Sequence, residues 1–112
     1  MYYEFSKPEQ GDLAYISGEQ INFDFNDVVR IIGIPGDKIL IEDGILYVNG
    51  QQKYEDMYSY IDVAGIAKTE FTVPGGKYFV MGDNVTNSYD SRDENYGCVD
   101  RKKILGKVCF SW

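Results

Sequence analysis

The chain has 112 residues, enough for one domain with a modest core, and residues 1–112 are read as that single domain. Eighteen acidic residues against eleven basic ones give a net charge of −7, so a nucleic-acid partner would meet repulsion with no basic stripe to offset it. The absence of histidine excludes Ser-His-Asp and Cys-His chemistry and removes the commonest metal ligand, and two cysteines do not close a zinc site, so no metal or cofactor is expected.

Strand periodicity runs through almost the whole chain, and ten tyrosines with six phenylalanines suit cross-strand packing. Gly11-Asp12 leads into a short apolar strand, Leu13-Ala14-Tyr15-Ile16. Val28-Val29-Arg30-Ile31-Ile32 is rich in β-branched residues and is bounded by Gly33 and Pro35. Pro35-Gly36-Asp37 is a turn in which proline fixes φ at the first corner and glycine accepts a positive φ at the second. Lys38-Ile39-Leu40-Ile41-Glu42 and Ile45-Leu46-Tyr47-Val48 are joined by Asp43-Gly44, a two-residue hairpin turn. Asn49-Gly50 repeats the device and returns the chain through Gln51 to Tyr54. The two turns predict a three-stranded antiparallel sheet. Residues 55–68 show no firm period and are read as an irregular excursion. Strand character resumes at Thr69-Glu70-Phe71-Thr72-Val73, stops at Pro74-Gly75-Gly76, and returns in Lys77-Tyr78-Phe79-Val80-Met81 and in a last strand over residues 104–110. The fold class is therefore all-β, mostly antiparallel, with long connections. No run of about eighteen apolar residues offers a transmembrane helix, and no signal-peptide pattern opens the chain. Cys98 and Cys109 form a disulfide if the last two β segments lie side by side; otherwise they are buried free thiols.

Two stretches carry candidate chemistry. Arg30 stands inside an apolar run, and a buried guanidinium needs a carboxylate, which Asp83 or Asp90 can supply. The second stretch is Gly82-Asp83-Asn84-Val85-Thr86-Asn87-Ser88-Tyr89-Asp90-Ser91-Arg92, a polar turn directly after a strand. It puts carboxylates, hydroxyls and a guanidinium onto one spot. A calcium loop fails there, because Val85 occupies the third ligand position and Glu94 is too close to serve as the twelfth. Asp90 and Arg92 lie two apart and are expected to pair across an extended segment, stiffening the loop that presents Ser88.

Together these stretches resemble two boxes of the type I signal peptidase (leader peptidase) family. The family's Gly-Asp-Asn…Asn-Ser-x-Asp-Ser-Arg box follows a strand, and a Lys-Arg-x-x-Gly-x-Pro-Gly-Asp box precedes it. Gly11-Asp12-Leu13-Ala14-Tyr15, the Asp43-Gly44-Ile45-Leu46-Tyr47-Val48-Asn49-Gly50 hairpin and the closing Ile104-Leu105-Gly106-Lys107-Val108 extend the similarity along nearly the whole chain. The resemblance implies an open-barrel-like assembly of antiparallel sheets. By the same carry-over, Ser88 stands at the position that orients the catalytic lysine, and Arg30 with Asp83 forms a buried structural ion pair. Asp90 and Arg92 form a second pair, and Gly33, Pro35, Gly36 and Asp37 make the turn that shapes the site. Gly82, Asp83, Asn84, Asn87, Ser88, Asp90, Ser91 and Arg92 make up the later box.

Two departures stand out. The family's general base is a lysine just before the arginine, kept neutral by a dry pocket, and that position is Val29 here. Its nucleophile lies in a Ser-x-Met-x-Pro box upstream of Gly-Asp-Leu. Ser6 is followed by Lys7-Pro8, and residues 1–10 hold no such box. Lys38, past the turn, or Lys77, at the start of the strand leading to the Ser88 loop, could substitute only with a different geometry. The resemblance implies a non-catalytic, signal-peptidase-like protein of the bacterial surface. Such degenerate relatives occur in Gram-positive pilus loci, where they assist assembly of secreted proteins such as pilins. Its partner would be an extended protein or peptide segment (a signal peptide or a pilin) held by strand addition, with the membrane reached through an N-terminal anchor outside this chain. The serine-bearing strand is likewise missing, so dimerisation, strand exchange or a separate N-terminal piece is expected to cover the sheet edge. The alternatives are the soluble part of an active signal peptidase working with another base, and a plain all-β binding or structural module.

Overall fold

The computed structural model describes residues 2–3, 7–17, 27–84 and 88–108. Among the described residues ten strands run in chain order: β1 (Tyr2–Tyr3), β2 (Leu13–Ile16), β3 (Asp27–Gly33), β4 (Lys38–Glu42), β5 (Ile45–Val48), β6 (Gln51–Gln52), β7 (Phe71–Thr72), β8 (Lys77–Met81), β9 (Val99–Asp100) and β10 (Ile104–Val108). They form two antiparallel sheets. One has six strands in the order β1-β10-β2-β3-β8-β9, and the other has four in the order β6-β5-β4-β7. The all-β expectation is met.

The four-stranded sheet follows from its turns. Asp43 and Gly44 take φ of 54° and 80°, and Asn49 and Gly50 take 55° and 82°. Both central residues of each turn are left-handed, as a type I′ hairpin requires. The expected meander is present and gains β7 as a fourth strand, with Lys38 opposite Thr72 and Ile39 opposite Phe71.

β3 and β8 are apolar on both faces because each serves two cores. Ile32, Phe79 and Met81 join Ile39, Ile41, Leu46, Val48, Tyr58 and Ile61 between the two sheets. Val29, Ile31, Tyr78 and Val80 point the other way and pack with Ala14, Ile16, Tyr96, Val99 and Ile104. Alternation therefore vanishes from these strands, and four consecutive residues of β8, from Tyr78 to Met81, are buried. Gly33 lets the sheets approach closely: a Cβ there would meet Ile39 Cδ1 at 2.7 Å. The register with β8 shifts between Ile31 and Gly33, which bends β3 toward the Pro35-Gly36 turn.

Two details depart from expectation. The predicted strand over residues 69–73 contracts to Phe71–Thr72. Strands β1 and β9 were not anticipated, since two residues carry no readable period. The last strand is described as far as Val108, and Cys109 lies outside the described residues, while Cys98 carries a free thiol.

Candidate functional site

The site is assembled where β3 passes the end of β8. Gly82 is the first residue after β8, and its N–H donates to both Ser88 Oγ (3.0 Å) and Asp90 Oδ2 (3.1 Å). Ser88 Oγ in turn donates to Asp90 Oδ2 at 2.6 Å. A Cβ at position 82 would come within 2.3 Å of Ser88 Oγ, so any larger residue there would displace the serine side chain.

Asp90, 1% exposed, is the centre of the box. Its Oδ1 accepts from Arg92 Nε (2.9 Å) and Arg92 N (3.1 Å), and its Oδ2 accepts from Arg92 Nη2 (3.1 Å). The guanidinium is thus held in a bidentate pair, with Arg92 itself 5% exposed. The pair forms in a run of bends and turns rather than on the extended segment expected from the sequence. Ser91, fully buried, accepts from Val80 N through its hydroxyl and donates its own N–H to Val80 O, anchoring the loop to β8. Asn84 is exposed beside Asp83, and Asn87 lies outside the described residues.

On the opposite face of β3, Arg30 grips Asp83 through Nε and Nη2, both at 3.0 Å, and donates from Nη1 to Gly11 O (2.9 Å). Of the two carboxylates considered, Asp83 is the partner. The pair is not buried as expected: the side chains of Arg30 and Asp83 are 20% and 50% exposed. The hydrogen bond to Asp83 outweighs desolvation and holds Arg30 more firmly charged than usual.

Pro35, Gly36 and Asp37 turn as the sequence requires, with Gly36 at φ 92° and Asp37 N donating to Ile34 O. The Asp37 carboxylate does more than close the turn. It accepts from Gln10 Nε2 (2.7 Å), Ile34 N (2.9 Å) and Asn49 Nδ2 (3.0 Å), joining three stretches of chain. Burial pushes this carboxyl up, but the bonds from Asn49, Ile34 and Gln10 outweigh it and lower its pKa. Asn49 was legible only as a turn residue, and Gln10 gave no signal.

Val29 is 2% exposed and opposite Ala14 in the β2–β3 ladder. Arg30 stands opposite Met81, so one residue further Val29 comes level with Gly82, on the sheet face where Ser88 Oγ sits. Val29 offers only a hydrocarbon side chain on that face, and the serine hydroxyl makes its own short bond to Asp90. The two substitute lysines lie elsewhere. Lys38 is exposed on β4 of the other sheet, and Lys77, at the far end of β8, faces Asp100 at 3.8 Å. Among the described residues no three His, Cys, Asp or Glu side chains converge as a metal site.

Comparison with known proteins decides the family. The family described as "Signal peptidase, peptidase S26" matches residues 1–112. The chain belongs to the signal peptidase I family. It is 38% identical over 110 residues to signal peptidase I of Bacillus licheniformis, covering 91% of this chain and 58% of that protein. It is 37% identical to signal peptidase I T of Bacillus subtilis, covering 91% of this chain and 55% of that protein. The chain thus spans little more than half the length of the curated relatives it matches. A crystal structure of a signal peptidase I from Enterococcus faecalis superposes with a TM-score of 0.72 at 28% identity, covering 95% of this chain and all of that one. The expected signal-peptidase-like assembly of antiparallel sheets is thereby established.

The excursion over residues 55–68 is the part of the chain that the sequence did not reveal. It straps down the polar box at two points. Tyr58 OH donates to Gly82 O (3.2 Å), and burial raises the phenol far above its ordinary range, keeping it a neutral donor. At the other end Arg92 Nη1 donates to Val63 O (3.1 Å), Ile66 N donates to Arg92 O (2.9 Å), and Gly65 (φ 61°) lies against that carbonyl. A Cβ at Gly65 would meet Arg92 O at 2.0 Å.

Proposed function

We propose that this domain holds an extended polypeptide segment without cutting it, and so assists assembly or processing of secreted proteins, pilins among them, at the bacterial surface. The observation that carries the reading is Val29. Proton transfer from a serine nucleophile needs a base within hydrogen-bond reach, and a valine side chain has no lone pair to offer. The box around it keeps its form: Gly82, Ser88, Asp90 and Arg92 are locked in one network whose rigidity suits binding. The partner is a signal-peptide or pilin segment, recognised in extended form, and the full protein sits at the outer face of the membrane through an N-terminal anchor. A second copy, an exchanged strand or a separate N-terminal piece would cover the sheet edge.

The test uses the full-length protein and a pre-protein ending in Ala-x-Ala. No processing is expected, and clean processing would overturn the non-catalytic reading in favour of an active peptidase. Peptide titration by NMR then separates a holder from a structural module. Localised shifts around Ser88 and Arg30 are expected from the Ala-x-Ala segment; none anywhere would leave only a module that preserves the fold.

A further inference from the structure

Between the strap and the loop of residues 88–95 lies a cleft of about 700 Å³, within the range that takes a few residues of peptide. Its walls differ. The strap contributes Val63, Ile66 and Lys68, and the loop contributes Tyr89, Asp93 and Glu94. Val63 is 67% exposed and Tyr89 38%, so two of the large apolar side chains left in water meet at this one concavity. The Tyr89 ring is set edge-on to Tyr96, with centroids 5.2 Å apart, and forms a fixed wall.

Charge selects the occupant. Arg92, which also lines the cleft, is held on Asp90, so the loop wall presents Glu94 and Asp93 (one oxygen of which accepts from Asn95 N), facing Lys68 across the cleft. With a net charge of −7 behind it, that wall repels anions and attracts a cationic side chain. Resting on the peptide-holding reading above, we infer that this cleft binds a polypeptide segment bearing adjacent apolar and basic residues. The apolar side chain fills the space between Val63, Ile66 and Tyr89, and the lysine or arginine lies beside Asp93 and Glu94. Such a segment touches the strap and the loop together. The Arg92 guanidinium already joins Val63 O to Asp90, so the occupant braces the loop that carries Ser88.

The test titrates isotope-labelled protein with the capped hexapeptide Ala-Leu-Lys-Ala-Leu-Lys and with its counterpart carrying Glu for Lys. The lysine peptide is expected to shift resonances of residues 63–68 and 88–95, and raised salt should weaken it. Glu94→Gln, at an exposed position, should keep the fold as read by the same spectra and weaken binding roughly threefold. Val63→Ser should weaken both peptides. Equal binding of the two peptides, or an unshifted cleft, overturns the assignment. If the Ala-x-Ala segment shifts residues around Ser88 and Arg30 while residues 63–68 and 93–95 stay silent to the lysine peptide, the holding reading stands and this cleft is not its site.

Discussion

Two arginine–aspartate pairs flank the end of β8, and burial makes them unequal. Asp90 and Arg92 are shut from water, and removing one charge strands the other in a medium that cannot solvate it. Asp90→Asn should cost about 3–5 kcal/mol in urea unfolding. Asp83→Asn, at a side chain half in water, should cost roughly 1 kcal/mol or less. Equal costs would show that Asp90 is not the centre of the box. Asp37 supplies a pH dependence. Its folded pKa lies below the ordinary 3.8, so its contribution is fully present above that value and is lost as pH falls through the lower folded one. Asp37→Asn should therefore flatten the acid limb of the stability curve below about pH 4, measured by urea midpoints across pH. Val29 carries the remaining residue-scale prediction. In a version of the protein that contains the Ser-x-Met-x-Pro box, Val29→Lys places an amine beside Ser88 Oγ and should produce cleavage of the pre-protein. Continued inactivity there would mean that more than the base is absent.

At the scale of elements, legibility followed the range of the interactions. The Asp43-Gly44 and Asn49-Gly50 hairpins were readable because their φ values are a local demand that local residues meet. β2, β4, β5 and β8 carry enough residues to display a pattern, and their observed limits match the reading. The polar box was readable as a motif, yet Asp37's bonds to Gln10 and Asn49 were not, since the partners lie 27 and 12 residues away. The strap was illegible for the same reason. Its order comes from Gly82 O, Arg92 and the core, and residues 55–68 alone have no period to announce it. Gly65 is its pressure point, with a positive φ and a carbonyl where a methyl would go. Gly65→Ala should destabilise the protein by more than 1 kcal/mol and broaden or move the Ser88 and Tyr89 amide resonances. A silent substitution would show that the strap does not set the loop.

For the whole molecule, the decisive fact is that the two cores share β3 and β8. A substitution on either face of these strands loosens both layers. Ile31→Ala and Met81→Ala face opposite cores, and each should cost about 2–5 kcal/mol in a single unfolding transition seen alike by near- and far-UV circular dichroism. Two separated transitions would contradict the shared-strand arrangement.

Cys98 leans against the core between the sheets, half-buried, and burial pushes its thiol up to about 11. At neutral pH the reactive anion is scarce there, so an alkylating reagent meets a slow sulfur. In a Cys109→Ser background the labelling rate becomes a clock for the brief excursions in which the two layers part. A bound polypeptide that braces the strap, packed on that same core through Ile66 and Tyr58, should slow the clock without touching the sulfur.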